Sequence, residues 1–193
     1  PVEVPSREGV TVFEKDEHYR ENQTMEQLAR LKPSFIPKVG TVTAGNSSGM
    51  NDGAAAMIIM SQEKADQLGL KPLAKLTGFG MGGCSPELMG LSPVPAVKNL
   101  LERTNMKLED FERIEINEAF ASQFLACERE LGINREITNV NGSGIALGHP
   151  IGCTGARIMV TLLYELIHSN KKTGLATLCG GGGVSLATAI EKL

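Results

Sequence analysis

From residue 61 onward, segments with helical spacing of apolar residues alternate with segments typical of strands, which restricts the chain to the α/β class. Helices are predicted over 61–68, 94–103, 119–131 and 155–168, and strands over 73–79, 113–116, 173–178 and 184–190. Such alternation is typical of a mostly parallel sheet with helices on its faces. Only Cys179 and four glycines separate the last two strands, which indicates a hairpin and therefore an antiparallel final strand in a mixed sheet.

The helix predicted over 155–168 is apolar on nearly every side, so we expect it to be buried on several sides in layers that another domain or subunit completes. Residues 1–40 are polar and interrupted by prolines, with one short helix that begins after a Thr24–Gln27 capping box and ends near Pro33. The small and apolar run 54–60 is predicted to be a buried strand. We expect one domain over 1–193, with 1–40 as an extended, loop-rich lead-in.

The charge and cysteine pattern excludes several classes of protein. A net charge of −3 argues against a surface for nucleic acid or anionic membranes. No apolar stretch is long enough to span a membrane and nothing at the start is typical of a signal peptide, so we expect a cytoplasmic protein. The four cysteines form no CxxC pair and have no histidine at zinc spacing, which argues against a metal site or a disulfide framework. The absence of an initiator Met before Pro1 suggests a processed product or a fragment.

Three segments combine glycines with polar or reactive side chains: 43–49, 141–150 and 179–183. A nucleotide site is the obvious alternative. It requires glycines that open a helix, and a P-loop also requires Gly-Lys-Ser/Thr. The last glycine run opens a strand and no Gly-Lys-Ser/Thr occurs, so the pattern disfavours a phosphate loop.

Each candidate catalytic side chain also has an ordinary structural interpretation. His149, between Gly148 and Pro150, could be an exposed loop histidine. Cys179, at a strand end, could be a small buried hydrophobe. Asn117, which follows a strand and precedes a helix, could cap that helix. Their combination beside glycine turns is also suited to acid/base chemistry with an oxyanion site, because carboxyl ends of strands are where α/β folds place catalytic groups.

Three ordered motifs resemble the thiolase family, and the resemblance extends over essentially the whole chain. They are Asn117-Glu118-Ala119-Phe120, the 141–157 segment with Gly148-His149-Pro150, and Cys179-Gly180-Gly181-Gly182. The resemblance is to the C-terminal half of the family and most closely to its biosynthetic acetyltransferases. It implies a layered α/β/α thiolase domain.

The resemblance also implies roles in acyl transfer between CoA thioesters, either Claisen condensation or thiolysis of 3-ketoacyl-CoA. His149 would activate the nucleophilic cysteine, Asn117 would hold a water in the same oxyanion site, and Cys179 would move the proton at the α-carbon. The amide of Gly181 would contribute to the second oxyanion hole. A thiol base has to be partly ionised, so we expect the glycine turn and His149 to lower the pKa of Cys179.

For substrate binding, the resemblance implies contacts with CoA from Arg20, Phe35, Ala44, Ser48 and Phe120, with CoA thioesters as substrates and no separate cofactor or metal. Arg20 could equally be a solvated surface charge. Residues 143–144, 153–154, Gln27 and Ser185 depart from the family pattern, which bears on acyl specificity more than on reaction type.

The family's nucleophile lies in a Cys-x-Ser-Gly segment of the N-terminal half, and Cys84 does not reproduce it. We therefore expect that the N-terminal domain is absent, that the chain is inactive alone, and that a homodimer or homotetramer forms when both halves are present. The alternatives are a non-catalytic thiolase-fold protein that binds acyl-CoA or lipid, and a module that serves only assembly.

Overall fold

The computed structural model describes residues 1–16 and 18–193. Within these ranges, six strands and six α-helices follow one another: β1 (Val2–Ser6), β2 (Gly9–Phe13), α1 (Met25–Ala29), α2 (Gln62–Gln67), β3 (Ala74–Gly83), α3 (Pro93–Thr104), β4 (Arg113–Ile116), α4 (Ala121–Leu131), α5 (Gly144–Leu147), α6 (Thr154–His168), β5 (Thr173–Gly180) and β6 (Val184–Lys192). Short 3₁₀ turns lie at Pro86–Leu91, Leu108–Asp110 and Arg135–Ile137.

The main sheet has four strands in the order β3-β6-β5-β4. β4 and β5 are parallel, whereas β6 is antiparallel to both β3 and β5. The mixed sheet and the antiparallel final strand are therefore confirmed. Three of the four strands point the same way, but only one neighbouring pair is parallel, because β6 returns through the glycine turn and inserts between β3 and β5.

Helices cover both faces of this sheet. On one face, α3 and α4 pack against β4, β5 and β6 through a core that includes Val97, Leu100, Ile116, Phe124 and Leu175. On the other face, a stripe of α6 packs against Ala176 and Ile190 through Ile158, Leu162 and Leu166. Alternating side chains of β5 and β6 serve opposite cores, which is the period-2 geometry of a strand. The predicted α/β class and its layers are confirmed.

In the N-terminal part of the chain, one predicted element is present and one observed element was not predicted. The short helix begins as predicted, since Thr24 Oγ1 accepts from the Gln27 amide and Gln27 Oε1 accepts from the Thr24 amide. The β1–β2 hairpin was not predicted, because Pro5 and the polar composition obscured the alternation of valines on both strands.

The strand predicted over 54–60 is wrong for this chain. These residues have no strand partner among those the structure describes, and Ile58 is 88% exposed. An apolar run is buried only when a neighbouring element covers it. Here Met57 and Ile59 instead line an open, mainly apolar cavity of about 470 Å³ with Phe79, Met159 and other residues of β3, β5, β6 and α6.

Helix α6 is fully buried only along one stripe, at Thr154, Ile158, Leu162 and Leu166. Its other apolar side chains are partly accessible, and Met159 lines the open cavity. The prediction that α6 is buried on several sides is therefore not met by the described residues alone.

Alternate glycines on β3 allow α3 to pack directly on the strand backbone. A Cβ at Gly80 would overlap backbone atoms of Ala96 and Leu100, and one at Gly82 would overlap the backbone of Ala96. The prediction over 73–79 ended this strand too early, because alternating glycines are also typical of loops.

We expect Gly80→Ala to destabilise the protein by roughly 1–3 kcal/mol, because a methyl group there has to displace helix α3. The midpoint of urea unfolding measures this change. Gly152→Ala is the matched control, since a Cβ at Gly152 meets nothing within 4 Å. Equal midpoints for the two variants would show that α3 does not approach β3 as closely as described.

Candidate active site

Asn117 lies where β4 ends, at the carboxyl end of the parallel pair β4–β5. Its amide donates to Thr177 O at 3.1 Å, which extends the β4–β5 ladder by one residue. The side chain is fully buried, and Oδ1 has no hydrogen-bond partner. Leaving a buried acceptor without a partner costs about 1–3 kcal/mol unless a water donates to it.

The backbone of His149 is held by the segment around residue 50. Its amide donates to Gly49 O and to Asn51 Oδ1, each at 3.2 Å. Gly148, at φ 104°, makes the turn that brings His149 there, and a Cβ on it would collide with the Asn51 side chain. The histidine is therefore fixed between α5 and α6 by residues almost 100 positions earlier.

The imidazole of His149 is half-buried and contacts Asn117 and Thr154. Asn117 Nδ2 is 3.5 Å from Nδ1 and 3.4 Å from Nε2, and such nearly equal distances place the amide over the ring face rather than on either lone pair. Nδ1 lies 2.7 Å from Thr154 Oγ1. Burial, followed by the positive charge of Arg157, lowers the pKa of His149, so the ring is a neutral base at pH 7.

Cys179 is buried near the end of β5, two residues beyond Thr177, the strand partner of Ile116. It therefore lies at the same carboxyl end of the sheet as Asn117. Burial raises the pKa of the Cys179 thiol, outweighing the lowering by a backbone hydrogen bond. The expectation of a lowered pKa is wrong for this chain, because burial destabilises the thiolate more than one backbone hydrogen bond stabilises it.

Gly181 follows in the turn between β5 and β6 and is exposed, with open space where a Cβ would be. Gly182 and Gly183 have φ of 83° and 88°, a conformation that favours glycine. The backbone around Gly181 is thus open to an approaching group.

The residues predicted to bind CoA fall into two sets. Phe35 and Phe120 form an edge-to-face pair with ring centroids 5.6 Å apart, and the Ser48 amide donates to Ala119 O at 3.0 Å. The same strand-like segment then pairs through Met50 with His149, so Ser48 and the histidine loop are neighbours. Arg20, on the lead-in, and Ala44, just after it, are both exposed, and among the described residues neither side chain forms a hydrogen bond or an ion pair with His149, Asn117 or Cys179.

Sequence reasoning missed Thr154, Asn51 and the buried pair Glu115–Arg157. Arg157 Nη1 lies 3.9 Å from Glu115 Oε2, and neither atom has a hydrogen bond. Thr154 and Arg157 fall on the first turn of α6, and Glu115 is two residues before Asn117. A charged residue between two isoleucines was the available signal for Glu115.

Within the described ranges, no three His, Cys, Asp or Glu side chains group as ligands for a metal ion. Nor does this part of the chain contain a helix long and apolar enough to cross a membrane.

Comparisons with known proteins identify the family of the chain. The family model "Thiolase, N-terminal domain" matches residues 1–63, and "Thiolase, C-terminal domain" matches residues 70–192. An acetyl-CoA acetyltransferase of Chromobacterium violaceum is 51% identical over 193 residues, which are 100% of this chain and 49% of that protein.

Two solved structures are similar throughout. That of Bacillus anthracis acetyl-CoA acetyltransferase has a TM-score of 0.91 at 52% identity and covers 100% of this chain and 49% of that one. That of human mitochondrial 3-ketoacyl-CoA thiolase in complex with CoA has a TM-score of 0.88 at 44% identity, with coverage of 94% and 46%.

The chain spans about half the length of the curated relatives it matches. Its organisation as a single C-terminal domain stays a prediction, as do the roles of the individual site residues. The fold, the order of the motifs and the family models nevertheless agree, and the chain belongs to the thiolase family.

Proposed function

We propose that this chain supplies one side of an acyltransferase site of the acetyl-CoA acetyltransferase type, and that a partner half supplies the nucleophilic cysteine. The site would condense acyl-CoA thioesters or cleave 3-ketoacyl-CoA with CoA. The observation that carries the proposal is the contact of a neutral His149 with Asn117 at the carboxyl edge of β4 and β5. His149 is the proton acceptor, and the side-chain oxygen Oδ1 of the adjacent Asn117 has no hydrogen-bond partner among the described residues.

In the proposed reaction, Nε2 of His149 accepts the proton of the nucleophilic thiol, and the thiolate attacks the thioester or ketone carbon. Negative charge then develops on the carbonyl oxygen. Donors fixed in advance stabilise such an oxyanion by several kcal/mol, and a water held by Asn117 and the amide of Gly181 are the donors that this chain offers.

Cys179 is suited to the proton at the α-carbon. In the cleavage direction, breaking the C–C bond leaves an acyl-CoA enolate, and the thiol donates its proton to that carbon. The raised pKa of Cys179 keeps it in the thiol form that this step requires. In condensation the same sulfur, as a thiolate, removes the proton.

Substrate binding falls to the neighbouring segments in this proposal. Ser48 and Ala44 line the path of the CoA arm, the Phe35–Phe120 pair forms an apolar wall, and Arg20 meets phosphate. No separate cofactor or metal takes part.

The partner half is proposed to cover the open apolar cavity beside α6 and to pair with residues 54–60. Met57, Ile58 and Ile59 are exposed there, and large apolar surfaces of this kind are typical of interfaces. In this proposal Cys84 has a structural role, which its thiol's donation to Leu88 O at 3.2 Å supports. A homodimer or homotetramer then forms from complete units.

We place the enzyme in the cytoplasm and in the metabolism of fatty acids or short acyl-CoA. Its four cysteines are free, as expected in a reducing compartment.

Acetoacetyl-CoA thiolysis tests the proposal. We expect no turnover by the chain alone, and turnover when it is co-purified with the N-terminal half of a thiolase relative that carries the nucleophilic cysteine. The same mixture with that cysteine replaced by alanine is the control.

A complex of the two halves that binds CoA by calorimetry but does not turn over would instead support a non-catalytic acyl-CoA-binding protein. A complex that neither binds CoA nor turns over would support a module used only for assembly.

A further inference from the structure

Thr154, the first residue of α6, makes two short contacts through its hydroxyl. Oγ1 lies 2.7 Å from His149 Nδ1 and 2.9 Å from Pro150 O. The residue is fully buried, and its own amide donates to the same Pro150 carbonyl at 2.9 Å. The hydroxyl is therefore anchored by the helix and has these two atoms as its polar neighbours.

The two contacts determine where the protons lie. A hydroxyl carries one proton, and the Pro150 carbonyl has none to give. Two oxygens at 2.9 Å repel unless a proton lies between them, and the same applies to a nitrogen and an oxygen at 2.7 Å. Both contacts receive a proton in only one arrangement: the Thr154 hydroxyl donates to Pro150 O, and His149 Nδ1–H donates to Oγ1.

This arrangement matters because the imidazole is neutral and holds a single proton. If that proton is on Nδ1, Nε2 carries a free lone pair. The Asn117 amide lies over the ring face and leaves this lone pair open in the ring plane. The contact of Nδ1 with Thr154 thus makes Nε2 the nitrogen that acts as the base.

We propose that Thr154 is a positioning residue that holds His149 as the Nδ1–H tautomer, so that Nε2 is the atom that exchanges a proton with the nucleophile. The proposal rests on the acyltransferase function above. It assigns a role to a hydroxyl that the sequence presents only as a departure from the family's small-residue pair at 153–154.

¹⁵N NMR of the imidazoles tests the tautomer directly. This chain contains three histidines, so it is labelled with ¹⁵N-histidine and combined with an unlabelled N-terminal half. His149→Asn identifies the signals of His149. We expect a protonated Nδ1 and a bare Nε2 in the original protein and in Thr154→Ser, and loss of this preference in the isosteric Thr154→Val. A protonated Nε2 in the original protein, or an unchanged tautomer in Thr154→Val, would overturn the proposal.

Kinetics of the same complexes give the second readout. We expect Thr154→Val to lower kcat about 10- to 100-fold with KM unchanged, and Thr154→Ser to restore it, because only the hydroxyl contact differs. Equal kcat in Thr154→Val and the original protein would overturn the positioning role. A complex with no turnover in any variant would defeat the proposed function, whereas the NMR spectra would still decide whether Thr154 holds the Nδ1 proton.

Discussion

We expect His149→Ala, in the assembled enzyme, to lower kcat for acetoacetyl-CoA thiolysis about 10²- to 10⁴-fold, the usual contribution of a positioned general base. The backbone contacts of residue 149 with Gly49 and Asn51 do not involve its side chain, so the loop keeps its place after the substitution. Initial rates at saturating substrate measure the effect, and circular dichroism checks the fold.

His168→Ala is the matched control. His168 lies in the last turn of α6, the helix that follows the His149 loop, and is exposed. It should retain activity. Normal activity in His149→Ala, or equal losses in the two variants, would contradict the assigned base.

The pH profile follows from the environment of the same ring. Burial and then Arg157 lower the pKa of His149, and the neutral imidazole is the active form. Activity should therefore persist as pH falls through about 6.5, the ordinary value for histidine, and be lost only at lower pH.

Every α-helix except the four-residue α5 could be predicted, because these helices follow from local spacing. The Thr24 cap and the glycine turn before β6 are cases where the residues that set the conformation are adjacent in sequence. The order of strands could not be predicted in this way. Periodicity predicts that β6 exists and returns, but the choice of β3 as its second neighbour depends on packing between residues more than 100 positions apart.

Segment 54–60 shows a different limit. Its apolar composition is correct for a buried strand, but a strand needs a partner for its backbone groups and a layer over its side chains. Neither is present among the described residues. The apolar composition of 54–60 therefore predicts that another element covers this segment, but none of the described residues does so.

The individual residues of the candidate site could be predicted from the sequence, but the contacts between them could not. His149 and Asn117 belong to recognisable motifs, yet their contact joins residues 32 positions apart across two layers. Thr154 stood out only as a departure from the family pattern, and nothing in the sequence connected its hydroxyl with His149. Its role emerges only from two distances around one hydroxyl.

Glu115 and Arg157 connect the two elements that carry this geometry. Glu115 precedes Asn117 on β4, and Arg157 is one turn beyond Thr154 on α6. Burial raises the pKa of Glu115 to about 8. The positive charge of Arg157 lowers this pKa, but by less than burial raises it. The guanidinium is 3.9 Å away and donates no hydrogen bond, so the desolvation penalty of the carboxylate is larger than the attraction.

We expect this carboxyl to make the protein less stable as pH rises from about 4.5, the unfolded value, towards 8. In that range the folded state holds the proton and the unfolded state does not, so each unit of pH favours unfolding by about 1.4 kcal/mol at most. The total is on the order of 3–5 kcal/mol. Glu115→Gln cannot ionise, so it should match the original protein near pH 5 and exceed its stability above pH 8.

Urea unfolding from pH 5 to pH 9 measures both curves. Glu112→Gln is the control of opposite sign, because a hydrogen bond from the Lys172 amide lowers the pKa of Glu112. The stability that Glu112 contributes is present above its unfolded pKa and lost on the acid side, so this variant should keep the original slope between pH 5 and 9. If Glu115→Gln also keeps that slope, Glu115 is ionised in the fold and forms a true ion pair with Arg157 between the strand of Asn117 and the helix of Thr154.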